Sequence, residues 1–225
     1  MRLAVLSTGG KDSTLALYKV LIEGHEVKHL VSMIPRSENS WMFHYPNMHL
    51  MDMYAEAVGI PLVKAETLGL KEAELEDLKR LIAPLDVEGV VSGTIASTYQ
   101  KTRIERVCSQ LGLECLMPLW QNSPIGILRE ILNLKFKVII TGVYAYGFSA
   151  DWLGRRVDEE TVSDLQRLNS LYGVSLVGEG GEYETLVVDG PIFKKRIAIL
   201  EAEKIWERQR GYYRIKLARL EDKDG

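Results

Sequence analysis

Residues 3–13 read Leu-Ala-Val-Leu-Ser-Thr-Gly-Gly-Lys-Asp-Ser: an apolar strand, a Gly-Gly turn, and the start of an amphipathic helix over 13–23 that Gly24 closes. A strand that passes straight into a helix sets the helix N-terminus above the strand's carboxyl end. The free backbone N–H groups and the positive end of the helix dipole then favour an anion there. Gly9 and Gly10 permit positive φ and let the main chain approach that anion without a Cβ in the way. The hydroxyls of Thr8 and Ser13 can donate to phosphate oxygens, and Lys11 can neutralise their charge. The spacing is neither Gly-x-x-x-x-Gly-Lys-[Ser/Thr] nor Gly-x-Gly-x-x-Gly.

The rest of the first half alternates in the same way. Strands are expected over 27–34, 60–65, 89–92 and 114–118, and helices over 48–58, 71–82 and 99–111. Glycines at 59 and 112 end two of these helices, and Pro84 follows the third. Such alternation with short connections predicts a parallel sheet covered on both faces, with ligands beyond the strands' carboxyl ends. The pattern changes after Trp120. Ser123 as N-cap and Pro124 at the first helical position start a helix to about 134. A strand over 136–141, an aromatic loop over 144–152, a helix over 158–171 and β-like runs at 184–188, 192–200 and 212–217 follow. The expectation is an α/β phosphate-binding domain over 1–120 and a smaller α+β domain over 121–225, within the range that 225 residues allow.

Composition removes several classes of function. A net charge of −3 argues against a chain built to grip nucleic acid. Cys108 and Cys115 cannot form a zinc site by themselves and do not suggest a secreted disulfide framework, so free thiols in a reducing compartment are expected. No signal peptide or membrane-length apolar run is present, which points to the cytoplasm.

A second motif lies at 178–191, Gly-Glu-Gly-Gly-Glu-Tyr-Glu-Thr-Leu-Val-Val-Asp-Gly-Pro. Glu179, Glu182 and Glu184 fall within six residues around a Gly pair. On a strand, Glu182 and Glu184 would share a face with Tyr183 on the other. Like charges so close need a cation, a metal or a proton, unless the segment is a solvated acidic turn.

The first loop resembles the Ser-Gly-Gly-x-Asp-Ser pyrophosphate loop of the N-type ATP pyrophosphatases, with Thr8 where Ser is usual. Together with the Glu-Gly-Gly-Glu-Tyr-Glu-Thr segment it is similar to the diphthine–ammonia ligase family. Segments beginning at Trp41, Gly93 and Pro118 add to the likeness, which spans nearly the whole chain. The resemblance implies an adenine-nucleotide α-hydrolase-like N-terminal domain and ATP-dependent amidation of diphthine on translation elongation factor 2. The carboxylate would attack the α-phosphate, pyrophosphate would leave, and free ammonia would displace AMP. Eukaryotic members often carry a further C-terminal domain, so the chain looks like a minimal archaeal form.

The resemblance also distributes roles. Ser7, Thr8, Gly9, Gly10, Lys11, Asp12 and Ser13 would bind ATP, with Gly93, Gln100 and Arg103; Asp12 would position Mg²⁺ or the loop itself. Asp12, Arg103 and Glu182 would be catalytic. His44, Asn47, Glu179, Gly180, Gly181, Glu182, Tyr183, Glu184 and Thr185 would contact the acceptor. Diphthine's trimethylammonium group suits carboxylates and aromatic faces, for which Tyr144, Tyr146, Phe148, Trp152 and Tyr183 are candidates. Trp41 and Trp120 line the nucleotide pocket or the core. No direct nucleic-acid or membrane partner is implied, and the sequence leaves a homodimer open. The rival readings are a tRNA-thiolating enzyme, which commonly needs catalytic or zinc-binding cysteines, and a non-enzymatic ATP sensor, which has no use for the acidic motif.

Overall fold

The computed structural model describes residues 1–35, 47–67 and 71–223, with the side chains of 71–73 left aside. Five parallel strands form the first sheet: β1 (Arg2–Leu6), β2 (Glu26–Pro35), β3 (Leu62–Thr67), β4 (Gly89–Val91) and β5 (Glu114–Leu116), in the order β3-β2-β1-β4-β5. Every pairing is parallel, as alternation with helices requires. Successive residues of β1 enter opposite faces. Leu3 and Val5 join one apolar cluster and Ala4 another.

Helices α3 (Lys71–Ile82) and α4 (Thr98–Leu111) cover the Ala4 face through Leu75, Leu78, Ile82 and Val107. The Leu3/Val5 face packs on α1 (Lys11–Ile22) and α2 (Met51–Val58), and the same cluster includes Ile127, Leu128 and Ile131 of α5 (Pro124–Asn133). It continues into a second, antiparallel sheet of β6 (Lys137–Val143), β7 (Tyr183–Asp189), β8 (Lys195–Glu207) and β9 (Arg210–Asp222), ordered β7-β6-β9-β8. Helix α6 (Glu159–Tyr172) adds Val162, Leu165 and Leu168. One apolar cluster therefore joins both sheets.

Local chemistry explains the helix ends. The side chains of Ser97, Ser123 and Asp158 accept N-terminal hydrogen bonds for α4, α5 and α6, and Pro124 opens α5. Gly59, Gly112 and Gly173 close three helices in the left-handed region.

The last two strands depart from expectation. Instead of short runs at 192–200 and 212–217, β8 and β9 form one hairpin with 13 residues in each strand. Its charged positions pair across the ladder, Lys216 with Glu203 at 2.7 Å and Arg196 with Glu221 at 2.9 Å. Charges that read as loop are thus the solvent face of a ribbon. Arg208 at the turn takes φ 58 without the Asn-Gly or Asp-Gly signal usual for such a turn.

Asn47 and His49 fasten the start of the α2 region to β9. Asn47 Nδ2 donates to the Tyr213 carbonyl at 2.9 Å, its Oδ1 accepts from Ile215 N at 2.8 Å, and His49 Nε2 lies 3.0 Å from the Ile215 carbonyl. Asn47, expected to touch substrate, holds the fold together instead, because a strand leaving its neighbour must satisfy its backbone elsewhere. Asn47→Ala should lower stability by about 1–3 kcal/mol in urea unfolding. Asn47→Asp keeps the acceptor for Ile215 but sets a carboxylate oxygen against the Tyr213 carbonyl, so it should lose at least as much at neutral pH.

Candidate functional site

The loop between β1 and α1 is held from below and from the side. Ser7 N donates to the Val31 carbonyl at 2.9 Å, and Ser32 Oγ donates to the Ser7 carbonyl at 2.5 Å. Gly9 has φ +72, and a Cβ there would lie 3.1 Å from Leu186 and 3.3 Å from Met51, so this position needs glycine for both conformation and space. The amides of Gly9 and Gly10 meet Ser7 Oγ and Thr8 Oγ1 at 3.3 and 3.4 Å. Bonds of that length are weak and readily exchanged for those of an incoming anion. Ser13 Oγ and Thr14 Oγ1 donate back to the Gly10 carbonyl, and Thr14 shares a hydrogen bond of 2.7 Å with the buried Tyr54 hydroxyl. Thr14 and Tyr54 were not among the sequence candidates; no local pattern links positions 40 residues apart.

The acidic motif docks directly on this loop. Val187 N donates to the Gly9 carbonyl at 2.8 Å, and Lys11 N donates to Thr185 Oγ1 at 3.1 Å. The Thr185 hydroxyl thus occupies a helix-start N–H and keeps its own proton to donate. The Lys11 side chain is 3 % exposed. Its ammonium donates to Asp12 Oδ2 and to the Val177 carbonyl, and lies 5.1 Å from the centre of the Tyr183 ring. It therefore braces the loop against the second sheet instead of standing open for phosphate. Burial alone would lower its pKa, but Asp12 and other neighbours hold it above the ordinary lysine range.

Asp12 Oδ1 is buried with no hydrogen-bond partner among the described residues, and burial raises the carboxyl above its usual range against the pull of Lys11. Its like-charged neighbour is Glu179. The Glu179 carboxylate accepts from Ala96 N and, at 2.7 Å, from Ser97 N, just before α4. Glu179, expected to face a cation, thus binds two backbone amides at a helix start. Gly93 brings this connection close: a Cβ there would fall 2.7 Å from Asp12 C and Ser13 N.

Glu182 Oε1 accepts from Ser175 N at 3.2 Å, while Oε2 is buried without a hydrogen-bond partner among the described residues. Gly180 leaves room for that carboxylate, and Gly181, at φ +80, closes a turn onto the Gly178 carbonyl. Tyr183 sends its hydroxyl to the Leu176 carbonyl at 2.6 Å. Glu184 lies among Lys11, Asp12 and Tyr144.

Other candidates lie elsewhere. Gln100 sits in the exposed first turn of α4, its N–H on the Ser97 side chain. The Arg103 guanidinium lies 4.9 Å from the Tyr99 ring centre and near Glu74 of α3, an acid that counting charges along α4 alone does not reveal. Trp120 receives Lys101 on its ring at 4.6 Å. Phe148, Trp152 and Tyr183 are core residues, 8, 8 and 2 % exposed, and Phe148 packs edge-on to Trp152. They are not a free aromatic cage for the trimethylammonium group; from that set, Tyr144 stands beside Glu184. Trp41 and His44 fall outside the described residues.

A family model for the diphthamide synthase N-terminal domain matches residues 1–115, and one for the C-terminal domain matches 123–220. The chain belongs to the diphthamide synthase family. Relatives named diphthine–ammonia ligase, a carbon–nitrogen ligase, are 34 % identical in mouse, over 98 % of this chain and 91 % of theirs, and 34 % identical in man, over 91 % and 85 %. The fission yeast relative is 35 % identical over 91 % of this chain, which spans only 37 % of that protein.

Within this family site, the described residues set one buried cation, Lys11, among Asp12, Glu179 and Glu184. The carboxylates outnumber the buried cation, and among the described residues Asp12 Oδ1 has no hydrogen-bond partner. Among the described residues no group of three or more His, Cys, Asp or Glu side chains could hold a metal by itself. Cys108 and Cys115 pack on the α3/α4 face of the first sheet, in the cluster that contains Ala4 and not the one that contains α1.

Two tests follow from this geometry. Gly93→Ala pushes a methyl group into the backbone of α1 and should destabilise the fold by about 1–3 kcal/mol in thermal or urea unfolding. Burial pushes the Glu184 carboxyl up to about 7 from an ordinary 4.5. Between those values the folded chain keeps a proton that the unfolded chain releases, so this contribution to stability falls as pH rises toward 7. Glu184→Gln removes that slope. Its stability relative to the parent protein should therefore be greater at pH 8 than at pH 5.

Proposed function

We propose that the chain amidates the carboxylate of diphthine on translation elongation factor 2 through an acyl-adenylate, with ATP and free ammonia as co-substrates. The carrying observation is the docking of the Glu179–Thr185 motif on the phosphate loop, with Thr185 on the first amide of α1 and Glu179 on the amides before α4. An acceptor held by the acidic segment then meets a nucleotide held by the loop, as transfer between them requires.

In this reading the diphthine carboxylate attacks the α-phosphorus and the bond to the β-phosphate oxygen breaks. Ammonia then attacks the acyl carbon, AMP leaves, and the excess proton passes to a base. The amides of Gly9 and Gly10 and the hydroxyls of Thr8, Ser13 and Thr185 stabilise the departing pyrophosphate. Asp12, through its unpaired oxygen, would hold the Mg²⁺ that accompanies ATP, and that ion would neutralise phosphate charge when bound. Lys11 positions Asp12. Arg103 would donate to phosphate from α4 after leaving Tyr99 and Glu74. Glu182 supplies the base, its buried Oε2 being free to accept a proton. Binding of the cation by Glu184 and Tyr144 would orient the acceptor.

The test is to incubate the protein with ATP, ammonium and diphthine-bearing elongation factor 2, then weigh the factor and identify the nucleotide. Amidated factor with AMP and pyrophosphate in equal amounts is expected; ADP and phosphate would overturn the adenylation route. Asp12→Ala should abolish turnover. Glu182→Gln should bind ATP normally and fail to amidate.

A further inference from the structure

Beyond Tyr144, the rim of the site runs into a cleft of about 290 Å³ lined by 145–148, Tyr172, Trp206, Arg208 and Gln209. It lies between the loop after β6, the end of α6 and the tip of the β8–β9 hairpin. Tyr144 N donates to the Glu182 carbonyl at 2.8 Å, so the cleft begins one residue from a direct bond to the acidic segment.

The walls are seated in place. Tyr146 and Tyr172 meet edge to face with ring centres 5.0 Å apart. Gly147, at φ +99, lets the Tyr172 ring lie against the backbone, where a Cβ would be 2.5 Å from it. Gly211 does the same for Trp206, leaving only 2.7 Å for a Cβ. Yet Tyr146, Leu171 and Tyr172 remain 65, 58 and 49 % exposed. Exposed Tyr rings and a half-buried Trp206 beside an Arg are the composition of interaction hot spots, because they bury large area at small entropic cost. The hairpin end carries Lys204, Arg208 and Arg210 against Glu207, a local excess of positive charge on a chain whose net charge is −3.

We propose that this cleft is the docking surface for the protein that carries the acceptor side chain, and that it receives an acidic segment of that protein bearing an apolar anchor. The inference rests on the amidation reading above. A side chain carried by a folded protein must be presented to the phosphate loop together with its surroundings, and this cleft begins beside Tyr144, whose amide bonds the acidic segment. The aromatic walls take the anchor, and the basic hairpin end steers the acidic flank.

Tyr146→Ala/Tyr172→Ala and, separately, Arg208→Glu test the proposal on the full chain with purified diphthine-bearing elongation factor 2. Direct ATP binding should stay at the parent value in both variants; thermal unfolding should stay there in Arg208→Glu, and should fall somewhat in the double variant, which loses the Tyr146–Tyr172 ring pair but stays folded at the assay temperature. The KM for the factor should rise at least tenfold in both variants, and the salt dependence of that KM should weaken in Arg208→Glu. If the parent protein fails to amidate the factor, the amidation reading itself falls, before any variant is made. If the parent amidates and both variants keep its KM for the factor, the docking surface is overturned. A selective loss of RNA binding or a change in oligomeric state, with that KM unchanged, would overturn it too and assign the cleft to RNA or to a second copy.

Discussion

The structure depends on two hydrogen bonds between parts of the chain far apart in sequence: Val187 N to the Gly9 carbonyl and Lys11 N to the Thr185 hydroxyl. They join a turn of the parallel sheet to a strand of the antiparallel one. The loop amides and the start of α1 are obligatory donors, and burying them under a second sheet would be costly if they were unpaired. Strand β7 satisfies the Lys11 amide and the Gly9 carbonyl, while the amides of Gly9 and Gly10 make only long bonds within the loop. The bond that ties the two sheets together therefore also builds the site.

Electrostatics sharpen the arrangement. Lys11 is buried under the loop and committed to Asp12, Val177 and Tyr183, so its charge offsets the carboxylates instead of reaching outward. Burial then acts on each acid separately. It raises Asp12 despite Lys11 and lifts Glu184 to about 7, whereas Glu179 is held by two backbone amides. Similar carboxylates close together thereby acquire different tasks because their surroundings differ. Among the described residues the buried Asp12 Oδ1 is left without a hydrogen-bond partner, the feature on which the proposed metal role of Asp12 rests.

The second sheet supplies a scaffold and an outer face. Its core positions belong to the same apolar cluster as α1, α2 and α5, so the acidic strand is fixed relative to the phosphate loop by packing as well as by hydrogen bonds. The long β8–β9 ribbon projects from that packing, is secured to the first half by Asn47 and His49, and carries its charges outward. Held near its tip at Tyr213 and Ile215 and at its far end by Lys223 on Gly190, it is fixed along its length while the 208–209 turn stays outside.

The sequence by itself determined the first half of the fold and the nature of the loop. Apolar runs bounded by glycine and proline, with helices of period 3.6 between them, allow few arrangements besides a covered parallel sheet, and a Gly-Gly turn into a helix is a local property of consecutive residues. The caps at Ser123 and Asp158 were legible for the same reason. The tertiary structure alone decided which side chains share a site. Glu179 on the amides before α4, Glu74 beside Arg103, and Thr14 against Tyr54 are pairings across tens of residues. It also placed Phe148, Trp152 and Tyr183 in the core and turned alternating charges at 201–204 into the face of a ribbon. Burial and charge pairing depend on what arrives from elsewhere in the chain, and no local pattern carries that information.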